Sequence, residues 1–416
     1  MTKINTKTLK GFKELLPVEQ IAFNKMLEII KSTYELYGFI PLDTPVLERA
    51  EVLVSKAGGE TEKQIYQFTK GKTDYAMRFD HTVPLARYVA EHERELAFPF
   101  RRYAIGKVYR GERPQAGRLR EFYQCDIDII GKGKLSLTAD AELPKIITSI
   151  FSEILTTPFT IRVNNRKVLN QFFNTLDVDQ AATMRILDKL DKIGADGVRN
   201  ELADIGIPNT QIEQIISFSE ISGNNEEILA QLDAMNIYTA ELKAIVNANK
   251  DTVQIDLSIA RGLDYYTGTV YETTLDEYPQ VGSICSGGRY DDLASAYTSS
   301  TLPGVGISIG LSRLFDQLNT LELLQLDVST PTQVLIYGKS SDIEDDLRNR
   351  GISTELAEQD KLDKAMKYAN KLGIPYVIII GEDELAQNKY TLKNMQTGEQ
   401  FLLDKEQIIR NISAES

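Results

Sequence analysis

The 416-residue chain has no tryptophan, two cysteines and two histidines. Cys125 and Cys285 cannot build a disulfide framework, and with His81 and His92 they offer no closely spaced ligand set for a structural metal. A Ser–His nucleophile pair has no support, because neither histidine stands in a nucleophile-elbow context. No apolar run approaches the ~18 residues that would span a membrane. The opening MTKINTKTLKGFKELLP lacks the apolar core of a signal peptide, and two cysteines suit a reducing compartment, so a cytoplasmic location is expected. Positive charge is also scarce. With 47 Lys+Arg against 60 Asp+Glu the net charge is −13, which excludes nonspecific nucleic-acid binding driven by overall charge but not a local basic track. The glycines of 131–134 and 338–340 lack P-loop spacing, and those of 304–310 do not match a dinucleotide fingerprint.

What is present is ordinary globular material, 42% apolar and 26% charged, long enough for two or three domains. The stretch from Phe100 to Gly131 is the most informative. Two β-like runs flank a loop carrying Gly111, Pro114 and Gly117, which predicts a long hairpin. Alternation along the second run puts Tyr123, Cys125, Ile127 and Ile129 on one face and Phe122, Gln124, Asp126 and Asp128 on the other. Arg110, Glu112, Arg113, Arg118 and Arg120 crowd the loop and strand ends. Guanidinium forks suit phosphate oxygens, and the amide and carboxylates nearby suit a cationic ligand.

Other segments read more simply. Gln20 to Tyr37 has the apolar spacing of an amphipathic helix, followed by an extended Phe39 to Val46. Tyr66 to Phe79 predicts a strand pair about Gly71. Next, Thr82 is placed as the N-cap of a helix with Pro84 in its first turn. Helical spacing fills 162–251, with breaks near Gly194, Gly206–Pro208 and Gly223–Asn225. The tail from Thr332 reads as a separate α/β unit: Val334–Tyr337 and Tyr376–Ile380 as buried parallel strands, with helical spacing at Leu362, Ala365, Met366 and Ala369.

The run FRRYAIGKVYRGERPQAGRLREFYQCDIDIIG closely resembles motif 2 of class II aminoacyl-tRNA synthetases, in the form of the histidyl-tRNA synthetase family. MRFDHTVPLARYVAEH resembles that family's amino-acid-binding segment. RGLDYYTGTVYE and SICSGGRYDDL resemble its two histidine signatures, and GVGISIGLSRLF resembles motif 3. The helix and strand before Pro45 resemble motif 1, and LGIPYVIIIGEDEL resembles the anticodon-binding domain. The resemblance implies an α+β catalytic domain with the class II antiparallel sheet over 1–161 and 252–325, a helical insertion over 162–251, and a C-terminal α/β anticodon-binding domain over 332–416. It implies a ligase that activates L-histidine with ATP and transfers it to the 3′ end of tRNA(His), with Mg²⁺ accompanying the nucleotide, no structural metal and a homodimer built on motif 1.

Residue by residue, the resemblance implies Arg110 and Arg261 as catalytic groups at the α-phosphate. It implies Asp80, His81, Thr82, Gln124, Asp128, Tyr265, Tyr266 and Tyr290, with the two arginines, around histidine. Glu112, Arg113, Phe122 and Arg313, with Arg110, would hold ATP, and Gln115 would touch the tRNA. His81 is an unusual occupant of its place and reads better as inert. Asp128 stands where many bacterial members carry Glu, and Ser286 where a third glycine is usual. Two other readings compete. The synthetase-like regulatory subunit of ATP phosphoribosyltransferase shares the fold, but Arg110, Arg261, Arg313 and the tail speak against it. A class II synthetase for proline or threonine is disfavoured by RGLDYYTGTVYE and SGGRYDD. The tail carries 11 basic and 15 acidic residues, so RNA contact there needs a basic subset of its surface.

Overall fold

The computed structural model describes residues 4–54, 60–113, 117–260, 266–326, 328–338 and 342–414. The chain divides into two compact units, Met1–Glu14 with Met26–Leu323, and Leu15–Lys25 with Leu324–Ser416.

The larger unit is built on an eight-stranded sheet. Its strands are β1 (Ile40–Pro41), β5 (Phe100–Tyr109), β6 (Glu121–Ile130), β7 (Phe159–Asn165), β8 (Val253–Ile255), β9 (Thr269–Leu275), β10 (Cys285–Tyr290) and β11 (Gly304–Ile309). They lie in the order β1-β5-β6-β11-β10-β9-β7-β8. All neighbours are antiparallel except the outermost pairs, β1 with β5 and β7 with β8. A second, three-stranded sheet is formed by β2 (Leu47–Arg49), β3 (Gln67–Lys70) and β4 (Thr73–Met77), in the order β2-β4-β3.

The expected hairpin is β5–β6, in register from Phe100 opposite Ile130 to Tyr109 opposite Glu121. Period-two alternation turns Cys125, Ile127 and Ile129 into buried apolar positions. The amphipathic helix is Pro17–Leu36, and its buried Tyr34 hydroxyl donates to the Cys125 carbonyl (2.9 Å). Ser136 caps the Leu137–Ile154 helix, whose Leu143, Ile146, Ile147, Ile150 and Phe151 are fully buried. Its Asp140 takes both Nε (3.1 Å) and Nη2 (2.5 Å) of Arg289 on β10, a charge pair closed to solvent at both ends.

One helix start differs from expectation. Thr82 is the first residue of the Thr82–Glu91 helix, and the N-cap place belongs to His81, which makes no side-chain cap bond. The capping oxygen comes from one residue earlier: Asp80 Oδ1 accepts from the Val83 amide (3.1 Å). A carboxylate there satisfies an open amide and meets the positive end of the helix dipole.

Between β7 and β8 the chain is helical, in the segments Arg166–Thr175, Gln180–Leu187, Leu190–Asp204, Asn209–Ser219, Asn225–Ala234 and Ala240–Ala248. The breaks fall where the glycines stand. Gly194 (φ +69°) interrupts the third segment, and Gly206 and Gly223 separate later ones.

In the smaller unit β12 (Val334–Gly338), β13 (Thr354–Leu356), β14 (Tyr376–Ile380), β15 (Tyr390–Asn394) and β16 (Gln400–Leu403) run in the order β13-β12-β14-β15-β16. The β12 and β14 strands are parallel and buried, as their continuous apolar runs require. The Leu362–Leu372 helix ends on Gly373 in the left-handed conformation (φ +68°).

Candidate active site

A pocket of about 440 Å³ opens on the polar face of β6 in the larger unit. Phe122, Gln124, Asp126 and Asp128 all line it, as the alternation of β6 dictates. So do Asp80 and Thr82 from the helix start, Arg110 and Glu112 from the hairpin loop, Tyr266 and Tyr290 from the signature stretches, and Arg313 from the Leu311–Thr320 helix. Ten of the expected site residues therefore converge, from segments more than two hundred positions apart.

The floor is acidic and buried. Asp126 and Asp128 sit side by side on β6, opposite Ser308 and Gly306 of β11. Tyr290 donates to Asp128 Oδ1 (2.5 Å), and Arg102 Nη2 lies 2.6 Å from Asp128 Oδ2, a charge contact off the axis of a hydrogen bond. Arg102 is itself 1% exposed and donates to the His81 carbonyl (3.1 Å). Its Nε and Nη1 have no hydrogen-bond partner, and neither do Asp80 Oδ2, Asp126 Oδ1 and Gln124 Oε1. Buried polar atoms are almost always paired, so this many open positions around one pocket mark places for a polar ligand. Gln124 is held by its amide, which donates to Ser308 Oγ (2.9 Å), and its carbonyl oxygen is left for a donor.

Burial governs the protonation of the floor. It pushes Asp126 up to about 7, against Arg102 and the Ser308 hydroxyl, with Asp128 and Asp80 adding to the rise. It pushes Asp80 up to about 6, against the Val83 amide, Arg110 and Arg102. Asp128 is raised for the same reason, with Arg102 and Tyr290 opposing. Three carboxyls short of positive charge form an environment that an ammonium or imidazole donor would complete.

The other end is cationic. Arg110 donates through Nε to the Phe79 carbonyl (3.0 Å), and its guanidinium lies over the Phe122 ring, 5.2 Å from the centroid. Arg118 and Arg313 also line the pocket, and Arg313 Nη2 donates to the Val281 carbonyl (2.5 Å). The Phe122 face and the arginine forks together suit a flat base and its phosphates.

Glycines fix the shape. A Cβ at Gly306 would collide with the Asp128 carboxylate and the Ile127 carbonyl, and one at Gly287 with the Gly306 carbonyl. Ser286, in the usual place of a third glycine, is exposed at the pocket wall, where a hydroxymethyl group is accommodated.

Two expected residues lie elsewhere. His81 does not line the pocket. Its ring is buried against β5, with Nε2 3.3 Å from the Gly106 carbonyl, and burial with Arg102 and Arg78 pushes its pKa down to about 3. It is a buried residue held neutral outside the pocket. Arg113 is exposed and absent from the wall, where Arg118 stands. Arg261, Tyr265 and Gln115 lie outside the described residues. Tyr266 precedes β9 and is not part of it. Residues the sequence reading did not assign are Asp126, Arg102, Ser308 and Glu272, with Asp188 and Lys192 from the helical insertion. The alternation had placed Asp126 on the right face. Arg102, Ser308 and Glu272 stand within the quoted motif stretches without a role of their own, and nothing in the sequence signalled Asp188 or Lys192.

Comparison with known proteins follows the same division. Residues 11–314 match the family model described as histidyl-tRNA synthetase, and residues 331–415 match the anticodon binding domain. The histidine–tRNA ligase of Clostridium tetani is 52% identical over 431 aligned positions, covering 98% of each chain. The crystal structure of histidyl-tRNA synthetase from Nostoc sp. superposes with a TM-score of 0.89 at 39% identity over 100% of both chains. A Bacillus halodurans structure, titled as an ATP phosphoribosyltransferase regulatory subunit/histidyl-tRNA synthetase, shares the fold at a TM-score of 0.73. It is 20% identical, covering 88% of this chain and 97% of its own.

Proposed function

Because the chain belongs to the histidyl-tRNA synthetase family, we propose that its pocket seats histidine on the carboxylate floor and ATP along the arginine wall. The reaction is the ATP-dependent ligation of histidine to tRNA(His): histidyl-adenylate and pyrophosphate form first, and the acyl group then passes to the 3′ end of the tRNA. The regulatory-subunit alternative is less favoured, since the full-length likeness is to ligases.

The first step brings a carboxylate to an α-phosphate, so two anions must be held together. Fixed positive charge at the reacting phosphorus and alignment of the two ends supply the catalysis. Arg110, fastened through Nε, presents its remaining donors to the α-phosphate and the histidine carboxylate. Arg261 is the second catalytic arginine proposed for the α-phosphate. Phe122 stacks on the adenine, Glu112 orders the nucleotide's far end, and Arg313 takes the γ-phosphate. Asp80, Thr82, Gln124 and Asp128 accept from the histidine ammonium and ring, and Tyr265, Tyr266 and Tyr290 enclose the imidazole. A site whose open acceptors require donors rejects apolar isosteres, which would leave those acceptors unpaired. This supports histidine over other amino acids.

Mg²⁺ binds through one or two carboxylates, waters and substrate phosphates. Glu112 and Glu272, both on the pocket wall, fit that role and would hold the ion where it screens phosphate charge. Gln115 is the proposed tRNA contact in the hairpin loop. A homodimer is proposed from the exposed apolar Leu36 (84%), Ile40 (53%) and Leu47 (43%) around the motif 1 segment; light scattering giving a stable monomer at micromolar concentration would refute it. A cytoplasmic location is proposed. No helix among the described residues is long and apolar enough to cross a membrane.

The observation that carries the substrate assignment is the pairing of unfilled buried acceptors on one floor with arginines on the adjoining wall. Histidine-dependent ATP–pyrophosphate exchange tests it. Arg261→Ala should nearly abolish exchange without unfolding the protein; a folded variant with wild-type exchange refutes the role given to Arg261.

A further inference from the structure

We infer that Lys192, on the helical insertion, is a phosphate-binding residue of the activation site that holds the polyphosphate of ATP and the departing pyrophosphate. The inference rests on the placement of ATP proposed above.

Asp188 and Lys192 of the insertion lie more than fifty residues beyond motif 2 in sequence, yet both line the catalytic pocket. Their place is well fixed. Leu187, fully buried, closes the Gln180–Leu187 helix, and the Asp188 amide bonds back to the Met184 carbonyl. A new helix begins at Leu190 and is interrupted at Gly194, so 188–192 is a tight step between two helices. Lys189 is tied to Glu201 across that step (2.6 Å). Four positions apart, Asp188 and Lys192 fall on one side of the turn.

Lys192 differs from several of its neighbours in its side-chain pairing. Several cations of the insertion are paired with nearby carboxylates: Lys189 with Glu201, Arg199 with Glu213 and Lys243 with Asp233. The Lys192 side chain makes no ion pair or hydrogen bond among the described residues. An unpaired lysine is unremarkable on open surface, but this one lines the pocket of an enzyme with a net charge of −13.

The charge of the ligand explains the need for it. ATP would bring three phosphates into this pocket, and their negative charge calls for several cations at once. Arg110 and Arg313 are each committed at one nitrogen to a backbone carbonyl. A lysine is the suitable complement, because its ammonium is a point charge on a flexible stem and can follow phosphates that move apart as pyrophosphate leaves. The insertion then serves amino-acid activation directly, before any RNA is bound.

Exchange kinetics on the full-length protein test this with Lys192→Ala and Lys192→Arg. In Lys192→Ala the KM for ATP should rise about five- to tenfold, the size of a lost charge-assisted phosphate contact. The KM for pyrophosphate in the reverse reaction should rise with it, while the KM for histidine stays at the wild-type value. Lys192→Arg should restore most of the ATP affinity, which a merely structural role would not predict. An unchanged KM for ATP in Lys192→Ala overturns the inference. So does a defect confined to the KM for tRNA in aminoacylation, which would make Lys192 an RNA contact. Absence of histidine-dependent exchange in the wild-type protein would instead remove the underlying reading of the pocket.

Discussion

Replacing Asp126 with asparagine should make the ligand-free protein increasingly more heat-stable than wild type as pH rises from 5 to 7. Asp126 is 2% exposed, with Oδ1 unpartnered, and its folded-state pKa stands at about 7 against a reference of 3.8. Between those values the native protein keeps a proton that the unfolded chain has released. Stability therefore falls with rising pH across that window and levels off above pH 7. Each pH unit in the window is worth about 1.4 kcal/mol for one group, so the two units from pH 5 to 7 amount to about 2–3 kcal/mol. Asparagine carries no such term. At about 2 °C per kcal/mol for a unit of this size, the gap in Tm between variant and wild type should widen by about 4–6 °C from pH 5 to 7 and then stay constant. Thermal unfolding in matched buffers at pH 5, 6, 7 and 8 reads it directly. Saturating histidine should narrow the gap at pH 8, because the ligand's donors supply the missing countercharge only to the aspartate. Parallel Tm profiles for the two proteins, or a variant less stable than wild type at pH 8, would refute the account of a carboxyl strained by burial.

Three further outcomes follow from the same geometry. Tyr290→Phe removes the hydroxyl that donates to Asp128 and should raise the KM for histidine about tenfold or more, by about 1–3 kcal/mol, with the KM for ATP unmoved in exchange assays. Gly306→Ala drives a methyl into the Asp128 carboxylate and the Ile127 carbonyl, and should lower stability by about 1–3 kcal/mol and weaken histidine binding in calorimetry. Arg289→Met strands the fully buried Asp140 and should destabilise by about 3–5 kcal/mol in thermal unfolding, with much of that recovered when Asp140→Leu is added.

The parts of the fold that local pattern controls were legible in the sequence. Alternation along β6 names the residues that reach the pocket, because a strand's faces are fixed by parity alone. The glycines at 194, 206 and 223 mark helix breaks because they free the backbone locally. What sequence could not show depends on strand partners. Arg102 becomes a floor residue only because its register partner is Asp128 and the Thr82 helix covers it. Lys192 becomes a wall residue only through the packing of an insertion whose pattern speaks of its own core. The placement of Thr82 as N-cap failed for a smaller reason: the Asp80 carboxylate reaches the open amide first, and a helix start has room for one such acceptor.

The pairing of β7 with β8 carries a consequence for engineering. These strands run parallel, with Ile161 beside Val253 and Val163 beside Ile255. The chain therefore leaves β7 at one end of the sheet and must re-enter β8 at the other. No tight turn can make that journey; parallel strands need a crossover of about a dozen residues or more, usually a helix. The whole helical segment is thus an enlarged crossover connection, and excising it down to a hairpin loop would tear β8 from the sheet. A minimal version should keep the Ala240–Ala248 helix. Its Glu241 is held by Asn165 (2.9 Å) and Lys167 (2.5 Å), and the Asn249 that ends it donates to the Ala141 carbonyl (3.0 Å). A catalytic core trimmed to that single return helix would separate what the sheet needs for closure from what the rest of the insertion contributes.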